Sequence, residues 1–184
     1  MPNIYVALVH YPVLNKNGDV IASAVTNLDL HDISRAAKTY GVKGFYVVTP
    51  LADQIALAKR IIAHWTIGAG AAYNPIRRTA LELIRLKESL AEVADHIFSM
   101  ENTGPKTVAT CAKKHRTAIS YEKLRSLIRD ETPHVLVFGT AWGLAEETIK
   151  QADYTLEPVT GQSTYNHLSV RSAAAIILDR LLGK

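Results

Sequence analysis

The chain has 184 residues, 48% of them hydrophobic, and carries 21 Lys and Arg against 17 Asp and Glu. This length suits one domain whose core is large enough to need no disulfide, and the single cysteine, Cys111, can form none within the chain. No apolar run is long enough to cross a membrane, and a basic start followed by an apolar stretch, typical of a signal peptide, is missing. We therefore expect a cytoplasmic protein, whose net charge of +4 suits a nucleic-acid partner without requiring one.

Short β-prone runs alternate with segments of helical periodicity along most of the chain. The predicted strands are residues 4–11, 20–25, 44–49, 106–111, 135–139 and 154–156. This alternation indicates an α/β fold with a mostly parallel sheet flanked by helices, and the continuous apolar runs indicate strands covered on both faces. The pair Asn17-Gly18 predicts a turn that links the first strand to a short second one.

Helical periodicity predicts helices at residues 27–40, 54–65, 74–90, 120–129, 145–151 and 166–182. Asn27 or Asp29 is predicted to cap the first of these, and Asn74, followed by Pro75, the third. The last helix has apolar residues on more than one face, which fits either deep burial or contact with a second subunit. Because no repeat or linker divides the chain, residues 1–184 are predicted to form a single domain.

Two turns follow successive predicted strands in the last third of the chain. Gly139 and Thr140 come directly after one strand, where glycine permits a sharp turn or the close approach of a ligand. Asn166 is predicted to cap the last helix, with Ser169 in its first turn, where free N–H groups favour a polar or anionic group. Each turn alone is also explained by an ordinary connection. Together, at the carboxyl ends of neighbouring strands, they predict a ligand crevice.

These turns resemble sequence patterns of the SPOUT, or α/β-knot, RNA methyltransferases. SpoU-like members carry F-G-x-E-x-x-G-L, I-P-M and S-L-N-V-S-x-A. The segments in this chain are Phe138-Gly-Thr-Ala-Trp-Gly-Leu144, Leu156-Glu-Pro-Val159 and Tyr165-Asn-His-Leu-Ser-Val-Arg-Ser-Ala173. Ala141 or Trp142 stands where the family has an acidic residue, and the family's asparagine is displaced to Asn166. Residues 11–19 and 26–35 are similar to a small bacterial branch of these enzymes.

The resemblance implies one α/β-knot methyltransferase-like domain over residues 1–184, with a deep trefoil knot near its C-terminus. It implies that S-adenosyl-L-methionine binds in the knot, largely through backbone groups of three loops. The implied cofactor-binding residues are Phe138, Gly139, Thr140, Gly143, Leu144, Leu156, Glu157, Pro158, Asn166, His167, Leu168 and Ser169. It further implies methyl transfer to a base or ribose of tRNA or rRNA by a homodimer, in which the partner chain completes the site.

The first predicted helix carries the candidate catalytic residues. SpoU-like enzymes have an asparagine followed six residues later by an arginine near the start of this helix. The pattern matches Arg35, with Asn27 or Asp29 in place of the asparagine. An arginine can hold a phosphate through two hydrogen bonds or assist the nucleophile. His31 shares the helix face of Arg35 and can accept a proton near neutral pH. Spacing alone is explained by a solvated polar face, so the resemblance singles out Arg35 rather than His31.

Two basic clusters are candidate contacts for RNA, because basic residues near aromatic ones suit binding to phosphates and bases. The candidate RNA-binding residues, together with Arg35, are Arg77, Arg78, Lys113, Lys114 and Arg116. Such charges are also typical of plain surface.

No spacing of His, Cys, Asp or Glu predicts a metal site. Two alternatives stay open: a knotted dimer that binds RNA or a nucleotide without catalysis, and a doubly wound nucleotide-dependent protein of another class.

Overall fold

A computed structural model describes residues 3–184, which are built around one six-stranded sheet. The strands in chain order are β1 (Ile4–Val9), β2 (Val13–Leu14), β3 (Val20–Ile21), β4 (Gly44–Val48), β5 (Ile84–Lys87), β6 (Lys106–Thr110), β7 (His134–Gly139) and β8 (Tyr154–Leu156). The main sheet has the order β5-β4-β1-β7-β6-β8, and all its neighbours are parallel. Strands β2 and β3 form a separate antiparallel pair. The predicted α/β class with a mostly parallel sheet is confirmed.

Helices cover both faces of this sheet. They are α1 (Asn27–Thr39), α2 (Ala52–Thr66), α3 (Ala69–Tyr73), α4 (Pro75–Leu81), α5 (Leu90–Glu101), α6 (Tyr121–Leu127), α7 (Glu146–Gln151) and α8 (Val170–Leu182). Alternate side chains of β1 enter two apolar clusters: Val6 and Leu8 pack on the side of α1 and α8, while Tyr5 and Ala7 pack on the side of α5. The central strands are apolar at successive positions because both of their faces are buried.

The prediction of one helix over residues 74–90 is wrong. The structure has α4, then β5, then a new helix, α5, whose first turn is capped when Ser89 Oγ accepts from the Glu92 amide. Strand β5 pairs with β4 in parallel register, with Phe45 opposite Ile84. The apolar residues of this stretch fit a helical period by coincidence, and pairing with a neighbouring strand overrides the local preference.

The predicted strand at residues 20–25 and two predicted helix caps also need correction. Only Val20–Ile21 pair as a strand. The cap of α1 is Thr26, rather than Asn27 or Asp29: its Oγ1 accepts from the Asp29 amide at 3.1 Å and donates to Asp29 Oδ2 at 2.6 Å. The cap of α8 is Ser169, three residues after Asn166, and its hydroxyl accepts from the Ser172 amide. In both cases a Ser or Thr side chain meets the helix N-terminus from the extended residue next to it.

The apolar face of α8 is buried within the same chain. Ala174, Ile177, Leu178 and Leu181 belong to the core cluster that α8 shares with α1 and α6. The apolar residues of α8 fitted either burial or contact with a second subunit, and burial in the core accounts for them. Within residues 3–184, we find no helix that combines the length and the apolar character needed to cross a membrane.

Candidate active site

The loops that follow β6, β7 and β8 meet at the carboxyl edge of the sheet. The two turns expected on neighbouring strands are not adjacent, because β6 lies between β7 and β8. The loop after β6 runs beside β8: the Ile119 amide donates to the Thr155 carbonyl at 2.8 Å, and the Glu157 amide donates to the Ile119 carbonyl at 3.0 Å. Asn166 Nδ2 donates to the Ala112 carbonyl at 3.0 Å. Sequence reasoning assigned no cofactor contact to this loop, whose residues carry no pattern that would single them out.

The turn after β7 is tight and depends on Gly139. A Cβ on this residue would lie 2.7 Å from the Gly143 carbonyl carbon and closer still to the Leu144 amide nitrogen. Gly143 has a φ of 106°, which favours glycine. The turn is fixed from the other side by β2, since Leu14 donates to the Gly143 carbonyl at 2.9 Å and accepts from the Trp142 amide at 3.0 Å. The geometry therefore presents a rigid backbone surface at the end of β7.

Several residues expected to bind the cofactor direct their side chains elsewhere. The side chains of the following are buried in the core: Phe138, Leu144 and Leu156. Only the backbone of these residues is available at the edge. Glu157 accepts from the Tyr121 amide at 3.3 Å, so its carboxylate serves the N-terminus of α6.

The remaining cofactor-binding candidates lie in the segment between β8 and α8. Pro158 is half-buried next to the end of β8, whereas His167 and Leu168 are exposed. Tyr165 is 74% exposed and meets the His167 ring edge-on, with ring centroids 6.3 Å apart. Because Asn166 ties this segment to the loop after β6, its exposed residues frame the same edge of the sheet.

A buried chain of hydrogen bonds joins the ends of β1 and β7. Thr140 Oγ1 donates to the Val9 carbonyl at 3.0 Å and also contacts Ser23 Oγ, which contacts His10 Nδ1 at 3.0 Å. Since the Thr140 hydrogen is used on Val9, Ser23 must donate to Thr140 and accept from His10. This order places a hydrogen on Nδ1 of His10 and leaves Nε2 of the neutral ring as an acceptor. Nε2 is buried and has no partner within residues 3–184.

This chain lies at the topological switch point of the sheet. From β1 the main sheet continues to β4 on one side, and from β7 it continues past β6 to β8 on the other. Open parallel sheets bind ligands at the carboxyl ends of two such strands. Ser23, which precedes α1, therefore connects the helix with the candidate catalytic residues to the turn after β7.

The buried His10 predicts a stability difference at low pH. Burial lowers its pKa from 6.5 to about 4, although the Asp29 carboxylate and the Ala24 carbonyl act in the opposite direction. The unfolded chain therefore binds a proton below pH 6.5 that the folded chain does not, and stability falls as the pH drops towards 4.

His10→Asn keeps a donor for Ser23 but cannot titrate. We expect the free energy of unfolding, measured with urea, to fall by about 3 kcal/mol more in the wild type than in His10→Asn between pH 7 and 4. Equal losses of stability in the two proteins would contradict a neutral His10.

The start of α1 is fastened to the start of α8 by an ion pair that the sequence did not reveal. Arg171 Nη1 donates to Asp29 Oδ1 at 3.2 Å, and Arg171 Nε lies 3.3 Å from Asp32 Oδ2. Asp29 is buried and also accepts from Thr26, so its carboxylate is committed to holding the helix start. Asn27 is exposed at the same end. Asp32 faces Arg171 rather than Arg35.

Arg35 and His31 differ in a way that their shared helix face did not predict. Arg35 is exposed, and its guanidinium has no acceptor within the described part of the chain. His31 is buried, with its ring 5.1 Å from that of Trp65 in an edge-to-face arrangement, so the expectation of a solvated His31 is wrong. The apolar surface of α2 covers it. Burial is the main cause that lowers the pKa of His31, and its neutral form is favoured.

The two basic clusters lie on different elements. Arg77 and Arg78 are in α4, where the Arg77 guanidinium lies 4.8 Å above the Trp65 ring and Arg78 pairs with Glu82 at 2.7 Å. The other basic candidates are exposed in the loop after β6: Lys113, Lys114 and Arg116. In residues 3–184, no group of three or more His, Cys, Asp or Glu side chains is arranged to hold a metal ion.

A wide cleft lies at the opposite edge of the sheet. Its volume is about 1180 Å³, and it is lined by residues that precede the strands, such as Asn3 and Lys43, and by the end of α8. Its walls carry both signs of charge, including Glu101 and Arg125. Lys43, Tyr5 and Asn3 bond to Glu101 and hold the pKa of its carboxyl at about 2. The contacts of Glu101 link β1, β4 and α5, which is a structural role.

Comparison with known proteins identifies the family of this chain. Residues 3–183 match a family described as SAM-dependent RNA methyltransferases. The chain is 44% identical over 181 residues to a tRNA (guanine-N(1)-)-methyltransferase of Oleidesulfovibrio alaskensis, covering 98% of this chain and 42% of the relative. It is 38% identical over 183 residues to an uncharacterised protein of Aquifex aeolicus, covering 99% of this chain and 89% of that protein.

A solved structure shows the same fold. The SpoU methyltransferase AviRb of Streptomyces viridochromogenes, in complex with the cofactor AdoMet, superimposes with a TM-score of 0.58 at 17% identity. The match covers 99% of this chain and 58% of that one. The chain spans less than half the length of the curated tRNA methyltransferases that it matches. The family match over nearly the whole chain shows that it belongs to the S-adenosylmethionine-dependent RNA methyltransferases.

Proposed function

We propose that this chain transfers the methyl group of S-adenosyl-L-methionine to a base or ribose of tRNA or rRNA in the cytoplasm. The proposed unit is a single α/β-knot domain over residues 1–184. The observation that carries the proposal is the meeting of three loops at one edge of the sheet, in a chain whose family is defined by this chemistry. The near full-length match to the Aquifex aeolicus protein supports a unit of this size.

The three loops fit S-adenosyl-L-methionine by their donor set. At Gly139 the backbone of Gly143 and Leu144 fills the place of a side chain, and this fixes the shape of the turn that the cofactor would meet. Thr140 uses its hydroxyl, its amide and its carbonyl within the fold. Leu144 and Leu156 bury their side chains in the core, so only their backbone groups can meet the polar atoms of an adenosyl group or a carboxylate. The exposed residues between Tyr165 and Ser169 form the outer wall of the proposed site.

The proposed trefoil knot is supported by contacts at this edge between segments that are far apart in the sequence. The segment around Ile119 lies beside β8, and Asn166 reaches back to Ala112 across 54 positions. The segment that leads into α8 therefore lies against the loop after β6.

In methyl transfer the protein mainly has to position and activate the acceptor. The cofactor supplies an already activated methyl group when bound, so the largest contribution of the chain is alignment of the acceptor with that group. Arg35 is the proposed catalytic residue, because its exposed guanidinium has no competing acceptor within residues 3–184. Asn27 is free to contact RNA, whereas Asp29 holds the start of α1 in place through Arg171.

The nature of the RNA rests on the relatives. The Oleidesulfovibrio alaskensis protein is named for tRNA guanine methylation, which makes tRNA the first substrate to test. Because this chain covers only 42% of that protein, the guanine-N(1) activity can belong to the part that has no counterpart here. We therefore keep both tRNA and rRNA as substrates, with the basic residues of the loop after β6 and one arginine of α4 as RNA contacts.

A homodimer is proposed because large apolar side chains remain exposed around the same edge. They are Tyr11, Leu28, Trp142, Tyr165 and Leu168, each at least 43% exposed. A group of exposed apolar side chains at one edge is typical of an interaction surface. Light scattering of the purified protein tests the proposal, and a monomeric mass at micromolar concentration would contradict it.

A non-catalytic, knotted RNA-binding dimer is the second candidate. It is favoured by one observation: Ala141 and Trp142 stand where SpoU-like enzymes carry an acidic residue. A methyltransferase that depended on that carboxylate would be impaired here, whereas binding through backbone and arginine contacts would persist.

The deciding experiment combines cofactor binding with methyl transfer. The purified protein is titrated calorimetrically with S-adenosyl-L-methionine and then incubated with tritiated cofactor and unmodified tRNA and rRNA transcripts. We expect micromolar binding and label in one RNA class. Cofactor binding with no label in either class supports the second candidate, and no cofactor binding contradicts the proposed function.

A further inference from the structure

Trp65 is the centre of a cluster that joins three helices beside Arg35. The rings of His31 from α1 and His64 from α2 meet it edge-on at 5.1 and 5.2 Å. The guanidinium of Arg77 from α4 lies over its face at 4.8 Å. A guanidinium stacked on an aromatic face is held in one orientation and keeps its positive charge. Arg77 is therefore positioned before any ligand arrives.

The charge of Arg77 is not neutralised within the cluster. Its Nε is buried without an acceptor within residues 3–184, and its guanidinium forms no ion pair there. Arg77 and Arg35 both lower the pKa of His31, after the larger effect of burial and against the opposing effect of Asp32. Both cations therefore lie within electrostatic reach of the same imidazole. Asp32, the acidic residue in their vicinity, is already paired with Arg171.

The neighbouring Arg78 has the opposite character. It points to Glu82 one turn along the same helix, with a distance of 2.7 Å between Nε and Oε1. Its charge is therefore largely balanced before RNA binds. Although Arg77 and Arg78 are adjacent and chemically identical, the structure gives them different capacities to bind an anion.

We infer that Arg77, held on Trp65 next to Arg35, is a binding residue for the RNA backbone phosphates beside the methylated nucleotide, and that Arg78 is not. This inference rests on the proposed function and names how the substrate is held. A phosphodiester oxygen pair matches the fork of a guanidinium, and two unpaired arginines on one surface can follow a backbone carrying one charge per nucleotide. Trp65 serves as a positioning residue, because both ring edges meet histidines and its face carries Arg77.

The test compares Arg77→Ala with Arg78→Ala as a matched pair. Binding of a fluorescently labelled, unmodified tRNA transcript is measured by anisotropy over a series of salt concentrations. We expect Arg77→Ala to weaken binding about tenfold and to reduce the salt-dependence slope by about one, whereas Arg78→Ala changes affinity less than about threefold. Calorimetric titration with S-adenosyl-L-methionine and thermal unfolding confirm that each variant is folded.

A second variant separates the loss of charge from the loss of geometry. Arg77→Lys keeps the charge but lacks the guanidinium fork, so we expect an affinity between those of the wild type and Arg77→Ala. Equal losses in Arg77→Ala and Arg78→Ala, in a wild type that binds and methylates RNA, would overturn the inference and leave the proposed function standing. A wild type that neither binds RNA nor methylates it would overturn both.

Discussion

Gly139→Ala is expected to reduce the affinity for S-adenosyl-L-methionine by about 5- to 150-fold, because overpacking of this kind costs about 1–3 kcal/mol and the turn must move to relieve it. The added methyl carbon would lie 2.7 Å from the Gly143 carbonyl carbon and press on the Leu144 amide. Both neighbours are backbone atoms, so no side-chain rotation relieves the contact. The turn would have to separate from β2, which holds it through Leu14.

Gly104→Ala is the matched control. Gly104 precedes β6 at the opposite edge of the sheet, and a Cβ there meets no atom within 4 Å. Calorimetric titration gives the affinity of each variant, and thermal unfolding gives its stability. We expect the control to match the wild type in both. Wild-type affinity in a folded Gly139→Ala protein would remove the turn after β7 from the cofactor site.

Replacement of Arg35 is expected to affect the reaction rather than the cofactor. Arg35→Ala should lower the rate of methyl transfer about 10²–10⁴-fold, the range typical for loss of a group that positions or activates an acceptor. Cofactor affinity should stay within about twofold, because the Arg35 side chain is exposed on α1 and does not hold the loops after β6, β7 and β8.

Lys38→Ala on the same helix is the control for general loss of positive charge. Lys38 is exposed, and its replacement removes one positive charge from the same helix, three residues after Arg35. Single-turnover methylation of a saturating RNA transcript separates the chemical step from binding. Arg35→Lys should recover little activity if the guanidinium fork is required. Equal rates for Arg35→Ala and Lys38→Ala would assign Arg35 to the solvated surface.

The strands of the fold were largely predictable, because burial on both faces leaves a direct mark on the sequence. Val135-Leu-Val-Phe138 is apolar at every position, and it forms β7 at the centre of the sheet. Strand β5 was missed, since Ile84-Arg-Leu-Lys87 lies at the sheet edge, where one partner suffices and polar residues are tolerated. In a short edge strand between two helices, the spacing of apolar residues does not differ from that of one longer helix.

The candidate site was predictable where it depends on local backbone and not where it depends on contacts across the chain. The glycines after β7 signal a sharp turn by themselves. Burial of His31 depends on Trp65, and the role of Asp29 depends on Arg171, 142 positions later. The order of the strands is another such property, and it alone places the loop after β6 between the two turns that the sequence shows.

The position of β1 between β4 and β7 has a consequence for synthesis on the ribosome. Val9 accepts from Thr140, 131 positions later, so β1 lacks its second neighbour until most of the chain has emerged. At about 5–20 residues per second, the nascent chain exposes an apolar strand edge for several seconds. Non-local parallel pairing is intrinsically slow to form. Translation speed and chaperone capture, rather than final stability, are therefore expected to limit how much of this protein reaches its native state.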